Sequence, residues 1–237
     1  MKKFQRIVIL LSVGATLWTA ETCPAQSTSQ PTGSAPMLYL PMEEKQVLAI
    51  PAGTVEATWK GKPVFADGKQ GQALAVDSEG VSVGRVDLKG SNLMDPRQGT
   101  IAFWMRPLLP CDDGVRHYLL CMLSSADSNF AHYLYIEKDE AFCFQTKKGG
   151  KWLTSHFNFK WWKKPTWTPK VWYHLAVTWG PGLPVTFYVN GEKIHEKAKP
   201  EQDFMRDEAR IDRIVVGAAP TGDQQANALL DELVIYD

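Results

Sequence analysis

Residues 171–193 read VWYHLAVTWGPGLPVTFYVNGEK, and the pattern in this stretch decides the fold class. Val171, Tyr173, Leu175, Val177 and Trp179 alternate with Trp172, His174, Ala176 and Thr178, the period of two that puts one set of side chains on a buried face of a strand. Val185, Phe187 and Val189 repeat the alternation just downstream. Asn190-Gly191 then interrupts it, and this pair predicts a two-residue hairpin turn because both central residues of a type I′ turn need positive φ. A returning strand over Glu192–Ala198 completes the unit.

Outward from this hairpin the chain keeps the same character. Short apolar runs separated by Gly, Pro, Asn and Asp predict strands over Met37–Leu40, Gln72–Val76, Thr100–Arg106, Tyr118–Leu123, His132–Glu137, Ala141–Lys147, Arg213–Gly217 and Leu229–Tyr236. No run has the 3.6-residue period of an amphipathic helix, so the fold is expected to be all-β, a sandwich or a barrel.

Specific segments carry a resemblance. Met37-Leu38-Tyr39-Leu40-Pro41-Met42-Glu43 resembles the first strand of laminin-G-like jelly rolls, and GKQGQALAVD at 68–77 their "GKxGxALxFD" segment. GTIAFWMRP at 99–107 is similar to "GTIxFWxKP", WYHLAVTW at 172–179 to "WHHVAVTW", Val185 to Lys193 to the "xxLYVNGK" hairpin, and LDELVIY at 230–236 to "IDEVRIY". Together these segments span residues 37–237 in the family's order. The resemblance to the laminin-G-like, concanavalin A-like lectin and glucanase family implies a two-sheet antiparallel β-sandwich, a jelly roll with first and last strands adjacent. That fold hosts lectins, adhesion modules and hydrolases, so it does not fix one function.

The N-terminus reads as an export signal. Lys2, Lys3 and Arg6 precede an apolar stretch from Ile7 to Trp18 that is too short to span a bilayer, and Cys23-Pro24-Ala25 offers a cleavage site after Ala25. A signal peptide over 1–25 implies a secreted or periplasmic protein; the alternative makes Cys23 a lipid-anchored first residue. Residues 26–36, QSTSQPTGSAP, are polar and read as a linker, leaving 37–237 as one domain. No later segment has the length and apolarity of a transmembrane helix.

Composition excludes other classes. Lys plus Arg is 26 and Asp plus Glu is 26, so no global charge attracts the chain to nucleic acid. Of the 4 cysteines, Cys23 lies in the signal, and Cys111, Cys121 and Cys143 permit at most one internal disulfide; none has the C-x-x-C spacing of a zinc site.

The catalytic motifs of the fold are absent. Laminarinase-like members carry Glu-x-Asp-x-(x)-Glu on one strand, whereas Glu137 and Asp139 are followed by Ala141 and Phe142. Lys138-Asp139-Glu140 reads instead as a polar turn between strands, Lys147-Lys148-Gly149-Gly150-Lys151 as a hairpin turn, and Cys143 between Phe142 and Phe144 as a buried thiol. His174 reads as structural.

One stretch stands out among a total of 9 tryptophans. Residues 152–172, WLTSHFNFKWWKKPTWTPKVW, set Trp161, Trp162 and Trp167 beside Lys163 and Lys164, with Pro165 and Pro169 opposing a regular strand. Rings on a loop offer sugars a stacking platform, and the lysines offer partners for carboxylate or sulfate; the alternative makes these rings caps of the core. Trp172 belongs with the core. The resemblance also places Asp77 and Asp231 where some relatives have structural calcium nearby. Asp231 shares the sequence phase of Leu229, Leu233 and Ile235, so it needs a partner: calcium, a backbone amide or a lysine. The expectation is therefore a non-catalytic recognition domain for a polysaccharide or glycoprotein, with a cell-surface structural or protein-interaction module as the alternative and a diverged glycoside hydrolase or lyase as the third reading.

Overall fold

The computed structural model describes residues 36–44, 48–49, 55–76, 84–158, 167–197 and 210–237, all within the compact unit Ser34–Asp237. Every regular element described is a strand. In chain order they are β1 (Leu38–Leu40), β2 (Leu48–Ala49), β3 (Glu56–Lys60), β4 (Val64–Asp67), β5 (Gln72–Val76), β6 (Arg85–Met94), β7 (Gly99–Pro107) and β8 (His117–Leu123). There follow β9 (Ala131–Ile136), β10 (Phe142–Lys148), β11 (Lys151–Phe157), β12 (Tyr173–Gly180), β13 (Leu183–Val189), β14 (Glu192–Lys197), β15 (Ile211–Val216) and β16 (Ala228–Tyr236).

They form two antiparallel sheets. The nine-stranded sheet runs β14-β13-β12-β7-β16-β1-β2, with β5 beside β16 and β4 beside β5; the seven-stranded sheet runs β11-β10-β9-β8-β15-β6-β3. The first and last long-range partners, β1 and β16, are neighbours, with Tyr39 opposite Val234. This is the two-sheet jelly-roll sandwich that the sequence implies.

Alternation explains the packing. Phe103, Leu175, Val177 and Phe187 from one sheet meet Leu88, Leu120, Leu134, Phe142, Phe144 and Ile214 from the other in one buried apolar cluster. Across the gap Phe142 meets Phe187 edge to face at 5.3 Å, and Phe144 lies 5.1 Å from Trp179. His132 is also in this layer, wholly buried, its Nε2 donating to Pro96 O at 3.0 Å and its Nδ1 accepting from Thr146 Oγ1 at 2.9 Å. The Trp179 indole donates to the same carbonyl at 3.0 Å.

The turns follow the sequence cues. Asn190 and Gly191 take φ of 53° and 80°, and Gly149-Gly150, at 54° and 76°, joins β10 to β11 where Lys148 faces Lys151. Glu140 has φ 70° and closes the Glu137–Glu140 turn, its amide donating to Glu137 O at 2.7 Å. Two expectations change. Val171 precedes β12 and is exposed. In β16 a bulge between Asp231 and Val234, with Glu232 at φ 52°, switches the phase: Leu233 and Ile235 join the core, whereas Leu229 and Asp231 face outward. Leu229 is covered there by Ala73, Ala75 and the partly buried Trp172.

Candidate functional site

The outward face of the seven-stranded sheet is where polar and aromatic chemistry collects. Register sets three cross-strand rows on it. Tyr118, Tyr135, Cys143 and His156 form one row; Cys121, Tyr133, Gln145 and Thr154 the next; Leu123, Ala131, Lys147 and Trp152 the third. The middle row continues through Val215 and Asp87 to Thr58 at the sheet edge. Their neighbours Leu120, Leu134 and Phe144 point into the core, so alternation turns these rows away from it; Tyr118, Tyr133, Gln145, Lys147, Trp152, Thr154 and His156 reach solvent there, whereas Tyr135, Cys121, Cys143, Ala131, Val215 and Asp87 are buried.

The rings are in contact. Tyr118 lies 5.8 Å from Tyr133 and 5.4 Å from Tyr135, and Tyr133 lies 5.8 Å from Trp152. Trp152 is 52% exposed, with the Lys147 ammonium 5.5 Å from its centroid. Burial pushes the Tyr133 hydroxyl up to about 12, so it stays a protonated donor.

An ion pair borders the aromatic rows. Arg116 Nη2 and Nε donate to Glu137 Oε2 at 2.5 and 3.1 Å, and Nη1 donates to the Tyr118 hydroxyl at 3.2 Å. Its guanidinium also sits 4.5 Å from the Tyr135 centroid. Burial opposes the Arg116 charge, but the hydrogen bonds to Glu137 and Tyr118 and the electrostatic attraction of Tyr135 and Tyr118 together outweigh it and keep the guanidinium protonated. Beside the pair is a cavity of about 360 Å³ lined by Arg116, Tyr135, Glu137, Gln145, Thr154 and His156. Gln145 Nε2 donates to Thr154 Oγ1 at 2.7 Å along its wall. Farther across the sheet Asp87 takes hydrogen bonds from Arg213 at 2.8 Å and Arg85 at 3.1 Å.

Catalytic groups are otherwise engaged. Glu137 is held by Arg116, and the Asp139 carboxylate accepts from the Ala141 amide and from Asn158 Nδ2, both at 3.3 Å, inside the turn. Cys143 is buried and its thiol is pushed up to about 12 by desolvation. His174 packs against Trp104 at 5.0 Å.

The sequence-predicted residues are placed elsewhere. Trp161, Trp162, Lys163, Lys164 and Asp77 lie outside the described residues. Trp167 is corrected from a platform ring to a core ring: it is 1% exposed, edge-on to Tyr173 at 5.1 Å and Phe142 at 6.2 Å, and its indole N–H donates to Glu140 O at 2.9 Å. A ring enclosed in this way has no face for a sugar. Asp231 is fully buried; its Oδ2 accepts from the amides of Lys69 at 2.6 Å and Gln70 at 3.0 Å, while Oδ1 has no hydrogen-bond partner. Burial raises its pKa. Calcium takes about six to eight oxygens, and among the described residues no group of three His, Cys, Asp or Glu side chains converges on one point. The described side chains thus supply one spare carboxylate oxygen and not a cage.

Two packed antiparallel sheets with first and last strands adjacent define a jelly-roll sandwich. A family model described as the concanavalin A-like lectin/glucanases superfamily matches residues 80–237, and the chain belongs to that superfamily. Solved structures similar to it include the binding domain of Paraclostridial Mosquitocidal Protein 1, at 18% identity and TM-score 0.61, covering 85% of this chain and 48% of that one. A structure of botulinum neurotoxin type C, whose cell entry depends on interaction with two ganglioside molecules, matches at 14% identity and TM-score 0.65, covering 85% and 47%. The binding domain of botulinum neurotoxin DC in complex with SialylT matches at 13% identity and TM-score 0.66, with coverage again 85% and 47%. The chain spans about half the length of these structures, and at such identities the likeness is one of fold. No curated protein matches the sequence.

Proposed function

We propose that this protein is a non-catalytic recognition domain for a polysaccharide or glycan, exported from the cytoplasm, and that the outward face of the seven-stranded sheet is its binding surface. The observation that carries the proposal is the joined set of partly exposed Tyr118 and Tyr133 and half-exposed Trp152, which rests against the buried Tyr135 ring and is bordered by the Arg116–Glu137 pair and its cavity. Aromatic faces stack on the C–H faces of sugar rings, and the guanidinium, amide and hydroxyl groups around them supply directional hydrogen bonds. Ganglioside dependence of a similarly folded toxin supports a glycan partner. The non-catalytic reading is supported by Glu137, whose carboxylate is tied to Arg116, where a retaining glycosidase needs a free acid pair about 5 Å apart.

Affinity electrophoresis through neutral and anionic polysaccharides, with reducing-sugar release followed in parallel, tests this reading. Trp152→Ala is expected to weaken binding by about 1–3 kcal/mol, the range known for stacking of flat rings on aromatic side chains, with an unchanged unfolding midpoint. Retardation by no polysaccharide would remove the proposal, and sugar release lost in Glu137→Gln would replace it with a hydrolase. Calcium is proposed only as a stabilising ion with Asp231 Oδ1 as its one described side-chain ligand; an unfolding midpoint unmoved by EGTA would remove it.

A further inference from the structure

The opposite side of the sandwich carries a second cavity. It measures about 430 Å³ and opens on the outward face of the nine-stranded sheet at the ends of β7, β12 and β13, within the roughly 300–1,000 Å³ of small-ligand sites. Its floor follows from register. Thr178 faces Thr100 on one side and Thr186 on the other, while the adjoining Ile101, Val177 and Phe187 point into the core. Strands lie about 4.8 Å apart, so the three threonines form a ladder across the cavity, Thr186 at its buried end with its hydroxyl donating to Pro184 O at 3.5 Å, and Tyr188 beside it.

One wall is apolar. A bulge between Thr178 and Gly180 and a turn with Gly182 at φ 72° raise Leu183 above the sheet. Leu183 is 60% exposed and lines the cavity together with Pro184. The rim holds Gln98 and the Asp237 carboxylate, and among the described residues no lysine or arginine lines the cavity.

A hydroxyl ladder opposite an aliphatic wall, with a carboxylate at the rim and no cation, suits an uncharged molecule that has hydroxyls on its edge and C–H groups on its face. We infer that this cavity is a second saccharide subsite, selective for neutral sugars and separate from the aromatic surface on the other sheet. A carboxylate-bearing or sulfated sugar would meet the Asp237 charge with no basic side chain among the described lining residues to offset it.

Methyl-labelled protein titrated with cello-, xylo-, manno-, laminari- and maltohexaose, and with trigalacturonate as the anionic probe, tests the inference by NMR. At least one neutral hexaose is expected to shift the Leu183 and Thr178 methyl signals saturably, and trigalacturonate is expected to leave them in place. Thr178→Val keeps the branched shape and removes one hydroxyl, so affinity at these signals should fall about tenfold with an unchanged unfolding midpoint. Trp152→Ala should leave the affinity intact, which separates this site from the aromatic face. The inference is overturned if no neutral hexaose moves these methyls, if trigalacturonate moves them equally, or if Thr178→Val and Leu183→Ala both bind as the parent does.

Discussion

Trp167 contributes to stability in two separable ways. Its ring fills space against Phe142 and Tyr173, and its N–H bonds to Glu140 O at the positive-φ end of the β9–β10 turn. Trp167→Ala should cost about 3–5 kcal/mol because truncation leaves a cavity in a packed core. Trp167→Phe keeps much of the ring and loses the N–H bond, so about 1–3 kcal/mol is expected. Urea unfolding of both variants checks the order, and equal, negligible losses would mean that the ring is not core. His132 makes a different contribution, one that depends on pH. Burial lowers its native pKa to about 4, against about 6.5 when unfolded. Below pH 6.5 the unfolded chain takes up a proton that the native state refuses. Stability conferred by neutral His132 is therefore complete near pH 7.5 and falls as pH drops toward 4, by about 3 kcal/mol across the window. Denaturation series at pH 7.5 and 4.5 should show this loss in the parent and much less in His132→Gln; identical slopes in the two proteins would refute it.

The β13–β14 turn concentrates the demands of an element on two residues. Gly191 has φ 80° with open space around its Cα, so Gly191→Val meets no steric neighbour and its cost is backbone strain alone, about 1–3 kcal/mol. Asn190 accepts from the His174 amide at 2.9 Å and its own amide donates to His174 O at 2.7 Å, tying the turn to β12. A clear drop in thermal midpoint for Gly191→Val, with little change for Gly191→Asn, is the expected outcome. This turn was legible in the sequence because Asn-Gly specifies a backbone conformation by itself, as the Gly149-Gly150 pair does. Strands β2, β3, β4, β6 and β11 were not among those predicted. In β6, Lys89, Gly90, Ser91 and Asn92 break the alternation, and β11 leaves Lys151 and Trp152 exposed, so neither shows a clean period of two. The phase of β16 failed for a related reason: the bulge at Glu232 adds a residue that no local signal announces. The aromatic face was hidden for another cause. In AHYLYI at 131–136 both faces are apolar or aromatic, so alternation separates Tyr133 and Tyr135 from His132, Leu134 and Ile136 without saying which set is core. Only pairing with β8 and β10 brings Tyr118, Tyr133 and Trp152 together.

At the scale of the molecule, pairing of β1 with β16 joins segments almost 200 residues apart, as in the Tyr39–Glu232 hydrogen bond separated by 193 positions. Few of the core contacts can then form without the rest, and one apolar cluster draws side chains from both sheets, so unfolding is expected to be a single cooperative step. The cysteines report on this directly. Cys111, Cys121 and Cys143 are buried free thiols in the segment after β7, in β8 and in β10. Desolvation pushes Cys111 and Cys143 up to about 12 and raises Cys121 as well, so at pH 8 none is a thiolate and none is reachable. With Cys23 replaced by serine, Ellman's reagent should label no thiol in the native protein and all three after unfolding in guanidinium. Across a denaturant series the three should become reactive together, along one curve that coincides with loss of the far-UV signal. A cysteine that reacts in the native state, or one released at lower denaturant than the others, would show that its segment opens apart from the sandwich and that the two sheets do not share one core.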